Sequence, residues 1–365
     1  MPETKPKSVL VTGANGYIGN AVARAFVRAG WITYGLVRNQ DARASLRADE
    51  IISILGSASD KAFVERSANQ TRFVFDVMVS CTEQIMDYIP HYNDTIALLR
   101  ALAEASNKVG IRPLVMFTSG CKDYGTTGLD GSGGLSAHTE ESPLNAPPLL
   151  VARATHAIKI FNHKDLFDAV VIRPTTLYGL SGSFYGPIFD IAAKAAEKGV
   201  LELTADPKSI MHGTHVDDCA EAYVAIAEAD RSVVKGQCYN FSGRRYETLR
   251  EVANALAEEY NIKGGVKYLP EKKKTGVDVV QMLIGFSQWV GSEKLRRDVG
   301  WRDKRQLFSE AVHTYRKAYE PLDLSISSKH TKGRRCLECR DAAFFREVTG
   351  IKPLVFTFSW GNSPR

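Results

Sequence analysis

The residues with the most readable chemistry form a run of glycines near the start. Thr12-Gly13-Ala14-Asn15-Gly16-Tyr17-Ile18-Gly19 follows a β-rich run, Ser8–Thr12, and opens a stretch of helical spacing, Tyr17–Ala29. Gly13 permits a tight turn, Gly16 lets backbone approach a pyrophosphate, and Gly19 lets helix and strand pack closely. The free N–H groups of the helix start then face the anion. Glycines alone also mark plain turns; placed between a strand and a helix they point to a dinucleotide. The second apolar run ends Gly35-Leu36-Val37-Arg38-Asn39. An NAD site usually has Asp or Glu here to accept from the ribose hydroxyls. Arg38 suits a 2′-phosphate instead, so NADPH is expected over NADH. The plainer reading of Arg38 is a surface residue after a strand.

Other reactive side chains are weaker candidates. His138, Glu140 and Glu141 lie on a Gly/Ser/Pro-rich stretch, Gly125–Pro148, long enough to be a functional lid or disordered. Cys121 lacks neighbours that would lower its pKa. Cys336-x-x-Cys339 is half of a zinc signature without the other half, so no metal is expected.

These residues need a scaffold. Ser8–Thr12, Ile32–Val37, Ile51–Leu55, Phe73–Ser80, Leu114–Thr118 and Ala169–Arg173 read as strands. Tyr17–Ala29, Tyr92–Val109 and Val151–Asn162 read as helices between them. Alternation of this kind predicts an α/β protein with a doubly wound parallel sheet, helices on both faces. After Gly179 the alternation weakens, and Ile188–Lys198, Asp218–Ala229, Thr248–Tyr260 and Leu307–Ala318 look helical. Glu271–Lys274 reads as a solvated loop.

Composition sets limits. The chain has 365 residues, 44% hydrophobic and 24% charged, enough for one or two domains without disulfides or metal. Six scattered cysteines suit a reducing compartment, and a cytoplasmic location is expected. No apolar run is long enough to span a membrane, and Met1–Ser8 lacks a secretory apolar region. Of the net charge of +6, residues 325–365 carry +5, so the body has no basic excess for nucleic acid. That last segment reads as a Ser/Lys linker and an extension, with a strand-like Leu354–Trp360.

The Gly-x-x-Gly-x-x-Gly spacing resembles the short-chain dehydrogenase/reductase superfamily. Later residues are similar to its extended, epimerase/dehydratase-like branch: Asp76 in the fourth strand, Asn93, Arg173-Pro174-Thr175-Thr176-Leu177-Tyr178-Gly179, His215-Val216-Asp217-Asp218-Cys219-Ala220, Tyr239-Asn240, Lys294-Leu295 and Gly300-Trp301. The resemblance covers about residues 8–320. It implies a Rossmann-type domain, mainly residues 1–180, and a smaller C-terminal substrate-binding part, mainly 181–322, with segments returning to the first. Residues 323–365 are then an extension, with disorder as one reading of it. The resemblance also implies cofactor contacts at Gly13, Asn15, Gly16, Tyr17, Ile18, Gly19, Arg38, Cys81, Thr82, Thr118, Arg153, Pro174, Thr176 and Leu177. Substrate contacts are expected at Ser119, Gly120, Tyr178, Ser183 and Tyr185. Arg173 and His215 are expected to be structural. A homodimer through the helices Tyr92–Val109 and Val151–Asn162 is a further implication.

The family's chemistry uses a Tyr-x-x-x-Lys pair and a Ser or Thr after the fifth strand. Here the register places Leu149 at the tyrosine, Arg153 at the lysine and Gly120 at the hydroxyl. Leu149 cannot transfer a proton, and Arg153 is a poor acid or base near neutral pH. Ser119-Gly120-Cys121-Lys122-Asp123-Tyr124 looks like the Thr-Gly-x-Lys-x-Tyr stretch of plant progesterone 5β-reductase/iridoid synthase proteins, whose Lys belongs to the active site. Lys122 and Tyr124 are therefore the catalytic candidates, against readings as a loop lysine and a packing tyrosine. Nucleophilic chemistry at Cys81 is not expected. The function expected is an atypical NADP-dependent oxidoreductase of a small carbonyl or enone. An inactive NADPH-binding regulator or scaffold is the alternative, and a nucleotide-sugar epimerase or dehydratase the third.

Overall fold

The computed structural model describes residues 6–69, 73–270 and 278–320. Strand and helix alternate as β1 (Ser8–Thr12), α1 (Tyr17–Arg28), β2 (Ile32–Val37), α2 (Ala42–Ala48), β3 (Ile52–Leu55), α3 (Lys61–Ala68), β4 (Val77–Ser80), α4 (Tyr88–Asn107), β5 (Leu114–Thr118), α5 (Val151–Ala157) and β6 (Asp168–Pro174). The later half runs β7 (Thr176–Tyr178), α6 (Gly186–Lys198), β8 (Leu201–Leu203), β9 (Ile210–Met211), β10 (Gly213–His215), α7 (Val216–Glu228), α8 (Arg231–Val234) and β11 (Cys238–Phe241). It ends with β12 (Glu247–Thr248), α9 (Leu249–Glu259), β13 (Val266–Tyr268), α10 (Val279–Ile284), α11 (Glu293–Val299) and α12 (Val312–Tyr319).

Seven strands form one parallel sheet in the order β11-β6-β5-β4-β1-β2-β3. The order reverses at β1, which pairs with β2 on one side and β4 on the other. Ligands of such sheets bind outside the strand ends at that reversal, which is where the glycine run lies. Successive side chains of β1 point to opposite faces. Val9 and Val11 join Val22, Phe26 and Tyr223 on one face; Leu10 joins Met78, Leu99 and Phe167 on the other. Both faces being covered, the strands read as continuous apolar runs. A separate core forms from the later half, with Tyr185, Phe189, Leu256, Ile284, Phe308 and Tyr315 at its centre.

Several boundaries differ from the sequence reading, for physical reasons. The helix expected from Tyr92 begins at Tyr88, because Pro90 stands in its first turn, where a missing N–H costs nothing. The strand expected from Phe73 begins at Val77, so Asp76 precedes β4. Its carboxylate accepts from the Ser8 N–H at 2.8 Å and pins the start of β1. The helix expected over Val151–Asn162 is α-helical only to Ala157 and continues as a 3₁₀ segment, Ile158–His163.

The His215–Ala220 segment acts as a clasp. The Asp218 carboxylate accepts from the backbone N–H groups of Lys304 and Arg305, at 3.1 and 2.9 Å, and pairs with the Arg305 guanidinium. The long stretch Gly125–Pro148 is fastened along its length. Thr127 and His138 donate backbone N–H groups to Ser287 and Trp289, and Gln288 donates its amide to the Gly125 carbonyl. It is a strap across both halves and not a loose lid.

Among the described residues no helix is long and apolar enough to cross a membrane, and no group of His, Cys, Asp and Glu is placed to hold a metal. Glu271–Lys274, the Cys336–Cys339 pair and Leu354–Trp360 lie outside the described residues.

Candidate functional site

The glycine run has the geometry that a pyrophosphate needs. Gly13 sits at φ +65°, the left-handed region that favours glycine. A Cβ on Gly19 would lie 2.2 Å from the Gly13 carbonyl oxygen, so strand end and helix start touch there through bare backbone. α1 begins without a side-chain cap and without an acidic residue in its first turn, which leaves its N-terminus to an anion. Cys81 and Thr82, just past β4, form a wall against Gly13. Arg38 follows β2 and is exposed, without hydrogen bond or ion pair among the described residues. The glycines with Cys81 and Thr82 fit a dinucleotide. Tyr17 leans the other way: its hydroxyl donates to the Gly179 carbonyl at 2.7 Å, and its ring meets Phe184 edge-on.

The centre of the site lies past β5. Gly120 occupies the position where a hydroxyl residue was expected, and the Arg153 guanidinium lies across it. A Cβ on Gly120 would stand 3.1 Å from an Arg153 nitrogen. Arg153 is buried and donates from Nε and one terminal nitrogen to Asp123 Oδ1, at 2.9 and 2.8 Å. Its other terminal nitrogen reaches Glu83 Oε1 at 3.2 Å. Burial opposes that charge, but Glu83 and Asp123 together hold it more firmly than usual. Asp123 is completely buried; its second oxygen accepts from the Ser119 hydroxyl and faces Arg173 at 3.7 Å. Leu149 sits half-exposed in the short turn before α5.

The two catalytic candidates part company here. Lys122 is half-buried, and its ammonium donates to the Met282 carbonyl at 2.9 Å, at 4.0 Å from the centre of the Phe286 ring. It meets no carboxylate among the described residues. Burial, and then the charge of Arg153, push it down to about 7. Tyr124 is buried, its hydroxyl donating to Asn240 Oδ1 at 2.9 Å and accepting from Arg173 at 3.1 Å. Burial pushes that phenol up, against the pull of Arg173. With its hydroxyl engaged on both sides, Tyr124 is placed to hold Arg173 and Asn240 and not to exchange a proton with substrate. His138 stacks on the Tyr124 ring, and burial lowers its pKa. Glu140 accepts from the Asn240 N–H at 2.8 Å.

Other expected contacts divide in the same way. Thr118 hydrogen-bonds Tyr223 at 2.9 Å and lies 3.7 Å from the Cys81 sulfur. Burial pushes the Cys81 thiol up to about 12, so it stays protonated. Tyr178 and Tyr185, expected on the substrate wall, are instead drawn into the second core. They pack on each other and on Phe308, and the Tyr178 hydroxyl donates to the Gln306 carbonyl. Ser183 is buried and accepts from the Tyr185 N–H. Ring faces prefer that cluster to a wet cleft, so Tyr178 and Tyr185 shape the fold under the site. Pro174 and Leu177 are buried, and Thr176 is half-buried beside them at the end of the sheet. The residues that sequence reasoning missed are Asp123, Glu83 and Asn240, together with Met282 and Phe286. Asp123 carried a visible signal, a carboxylate inside the Ser119–Tyr124 run; the others reach the site only through folding.

Comparison with known proteins agrees with this architecture. The sequence pattern of the NAD dependent epimerase/dehydratase family matches residues 9–242. An uncharacterized protein of Schizosaccharomyces pombe is 24% identical over 263 residues, which cover 70% of this chain and 81% of that one. A ceramide reductase of Caulobacter vibrioides is 23% identical over 217 residues, 60% of each chain. Among solved structures, the dTDP-glucose 4,6-dehydratase of Bacillus anthracis, in complex with NAD, superposes with a TM-score of 0.65 at 18% identity. The match covers 86% of this chain and 96% of that one. With its glycine cradle at the sheet reversal and the family pattern running through β11, the chain belongs to the NAD dependent epimerase/dehydratase family.

Proposed function

We propose that the chain is an NADPH-dependent reductase of a small carbonyl or enone, with Lys122 as proton source. The observation that carries this is the placement of Lys122. Among the described residues it is an ammonium without a carboxylate partner, two residues from Gly120, where the family register expects a hydroxyl. Bound NADPH would supply a hydride to the substrate carbon. The glycine cradle holds the pyrophosphate, and Arg38 holds the 2′-phosphate. The Lys122 Nζ holds the proton that ends on the substrate oxygen. A group near 7 can give up a proton at neutral pH, which an ordinary lysine does poorly. Arg153 keeps the strap of charge under Gly120 rigid, and Tyr124 fixes Arg173. The reductase among the relatives supports the reaction class.

The test is cofactor oxidation at 340 nm with a panel of carbonyls and enones, using NADPH and NADH in parallel. Lys122→Ala should lower the rate while NADPH still binds. Arg38→Glu should weaken NADPH by roughly tenfold to a hundredfold, the worth of a charge-assisted hydrogen bond. Tight NADPH binding with no turnover across the panel would favour the regulator reading, which the locked Arg153 also suits.

A further inference from the structure

Tyr17 stands where two parts of the molecule meet. It is the first residue of α1, next to Gly16 of the cradle, and its side chain reaches across to residues 179–185, between β7 and α6. Three contacts hold that segment to the one side chain. The Tyr17 hydroxyl donates to the Gly179 carbonyl at 2.7 Å, and the Phe184 ring meets the Tyr17 ring edge-on, 5.2 Å between centres. A Cβ on Gly182 would lie 2.7 Å from a carbon of the Tyr17 ring, so the segment's backbone rests on it directly. Burial holds the phenol well above its ordinary pKa, so the hydroxyl remains a donor.

The segment needs holding. Leu180 takes φ +57°, a left-handed value that a leucine keeps only where its surroundings fix it. Leu180 packs against the first core and Tyr185 lies inside the second, so residues 179–185 carry the chain from one core to the other. The start of α1 is the weak end of this linkage. The first N–H groups of a helix have no partner within it, and α1 has no side-chain cap to take them. Helix ends held by few bonds open first. An anion that accepts from those N–H groups removes that freedom at the residue from which the Tyr17 ring extends.

We propose that Tyr17 is a positioning residue that carries occupancy of the cradle to residues 179–185: a dinucleotide steadies the start of α1, and the phenol then holds the segment against it. This rests on the dinucleotide reading of the cradle and adds a route from there to the second half. Coupling of this kind is reciprocal, so the held segment tightens the dinucleotide by the same factor.

The test is hydrogen exchange of the full chain, read by mass spectrometry on peptides spanning residues 179–185, together with calorimetry of NADPH and NADH. The N–H groups of Phe184 and Tyr185 are bonded to the Leu177 carbonyl and the Ser183 hydroxyl, so their exchange reports opening of the segment. In the parent protein the dinucleotide that binds should slow this exchange about tenfold. Tyr17→Phe removes the hydroxyl and keeps the ring. It should cut the slowing about threefold, the worth of one hydrogen bond, and weaken the dinucleotide by a similar factor. Phe184→Ala, at an exposed position that does not endanger folding, should act in the same direction from the segment's side. A purely structural bond would let Tyr17→Phe speed exchange equally with and without dinucleotide and leave its affinity unchanged. That result overturns the proposal, as does a bound dinucleotide that leaves exchange at residues 179–185 unslowed. Binding of neither NADPH nor NADH would overturn the dinucleotide reading and this proposal together.

Discussion

Gly19→Ala is the sharpest probe of the cofactor cradle. The added methyl would lie 2.2 Å from the Gly13 carbonyl oxygen and 2.7 Å from its carbon. An ordinary carbon–oxygen contact is about 3.3 Å, so roughly 1 Å of separation must be found. Neither atom is a side chain that could swing away. The turn is closed by the Gly16 N–H donating to Gly13 at 2.8 Å, and α1 is anchored by buried Ala21, Val22 and Phe26. Relief must come from shifting the helix against the sheet. Overpacking of this kind costs about 1–3 kcal/mol, which for a chain of this size lowers Tm by roughly 2–12 °C. The same shift moves the helix N–H groups off the pyrophosphate, and NADPH affinity should fall by about tenfold or more. Gly16→Ala, whose methyl would stand 3.3 Å from the same oxygen, should be milder. Gly133→Ala, with no atom within 4 Å, should be silent. The assay is thermal unfolding with and without NADPH, together with a fluorescence titration. A Gly19→Ala protein with the parent Tm and the parent NADPH affinity would refute the close-contact argument.

Three further outcomes are expected. Asp123→Asn leaves Arg153 and Arg173 without their shared buried counter-charge, and urea unfolding should show a loss of about 3–5 kcal/mol; a loss below 1 kcal/mol would mean that water reaches the pair. Lys122 titrates near 7 in the folded chain and near 10.4 when unfolded, so the unfolded state binds more protons between those values. Stability from this group is therefore gained as pH rises from 7 towards 10, and Lys122→Met should flatten that rise in Tm; parallel curves would exclude a depressed lysine. Pairing of α4 and α5 with a second copy, proposed from the sequence, should give a dimer mass in light scattering. Val151→Glu, at an exposed apolar position on α5, should then shift it to the monomer; an unchanged mass would move the interface elsewhere.

The sheet and its cradle were legible because their causes are local. Alternating strand and helix chemistry, the placement of Gly13, Gly16 and Gly19, and a breaker at each helix end act over a few residues each. Boundaries slipped where a local rule had two readings. Pro90 looks like a stop signal, yet it is harmless in a first turn. The substrate wall slipped further. Tyr178 and Tyr185 flank a family-like turn, but their environment is set by Phe308 and Tyr315, more than 120 positions away.

The sequence by itself showed a dinucleotide cradle of the family's kind, and its register set Leu149, Arg153 and Gly120 where the family's tyrosine, lysine and hydroxyl are expected. It could name Lys122 but not its condition. That the ammonium faces a carbonyl and a ring from the α10 segment, while Arg153 takes Asp123 and Glu83, was decided by tertiary structure alone. A charge's partners, and the water it loses, depend on which distant segments close over it, and those distances exist only once the chain has folded.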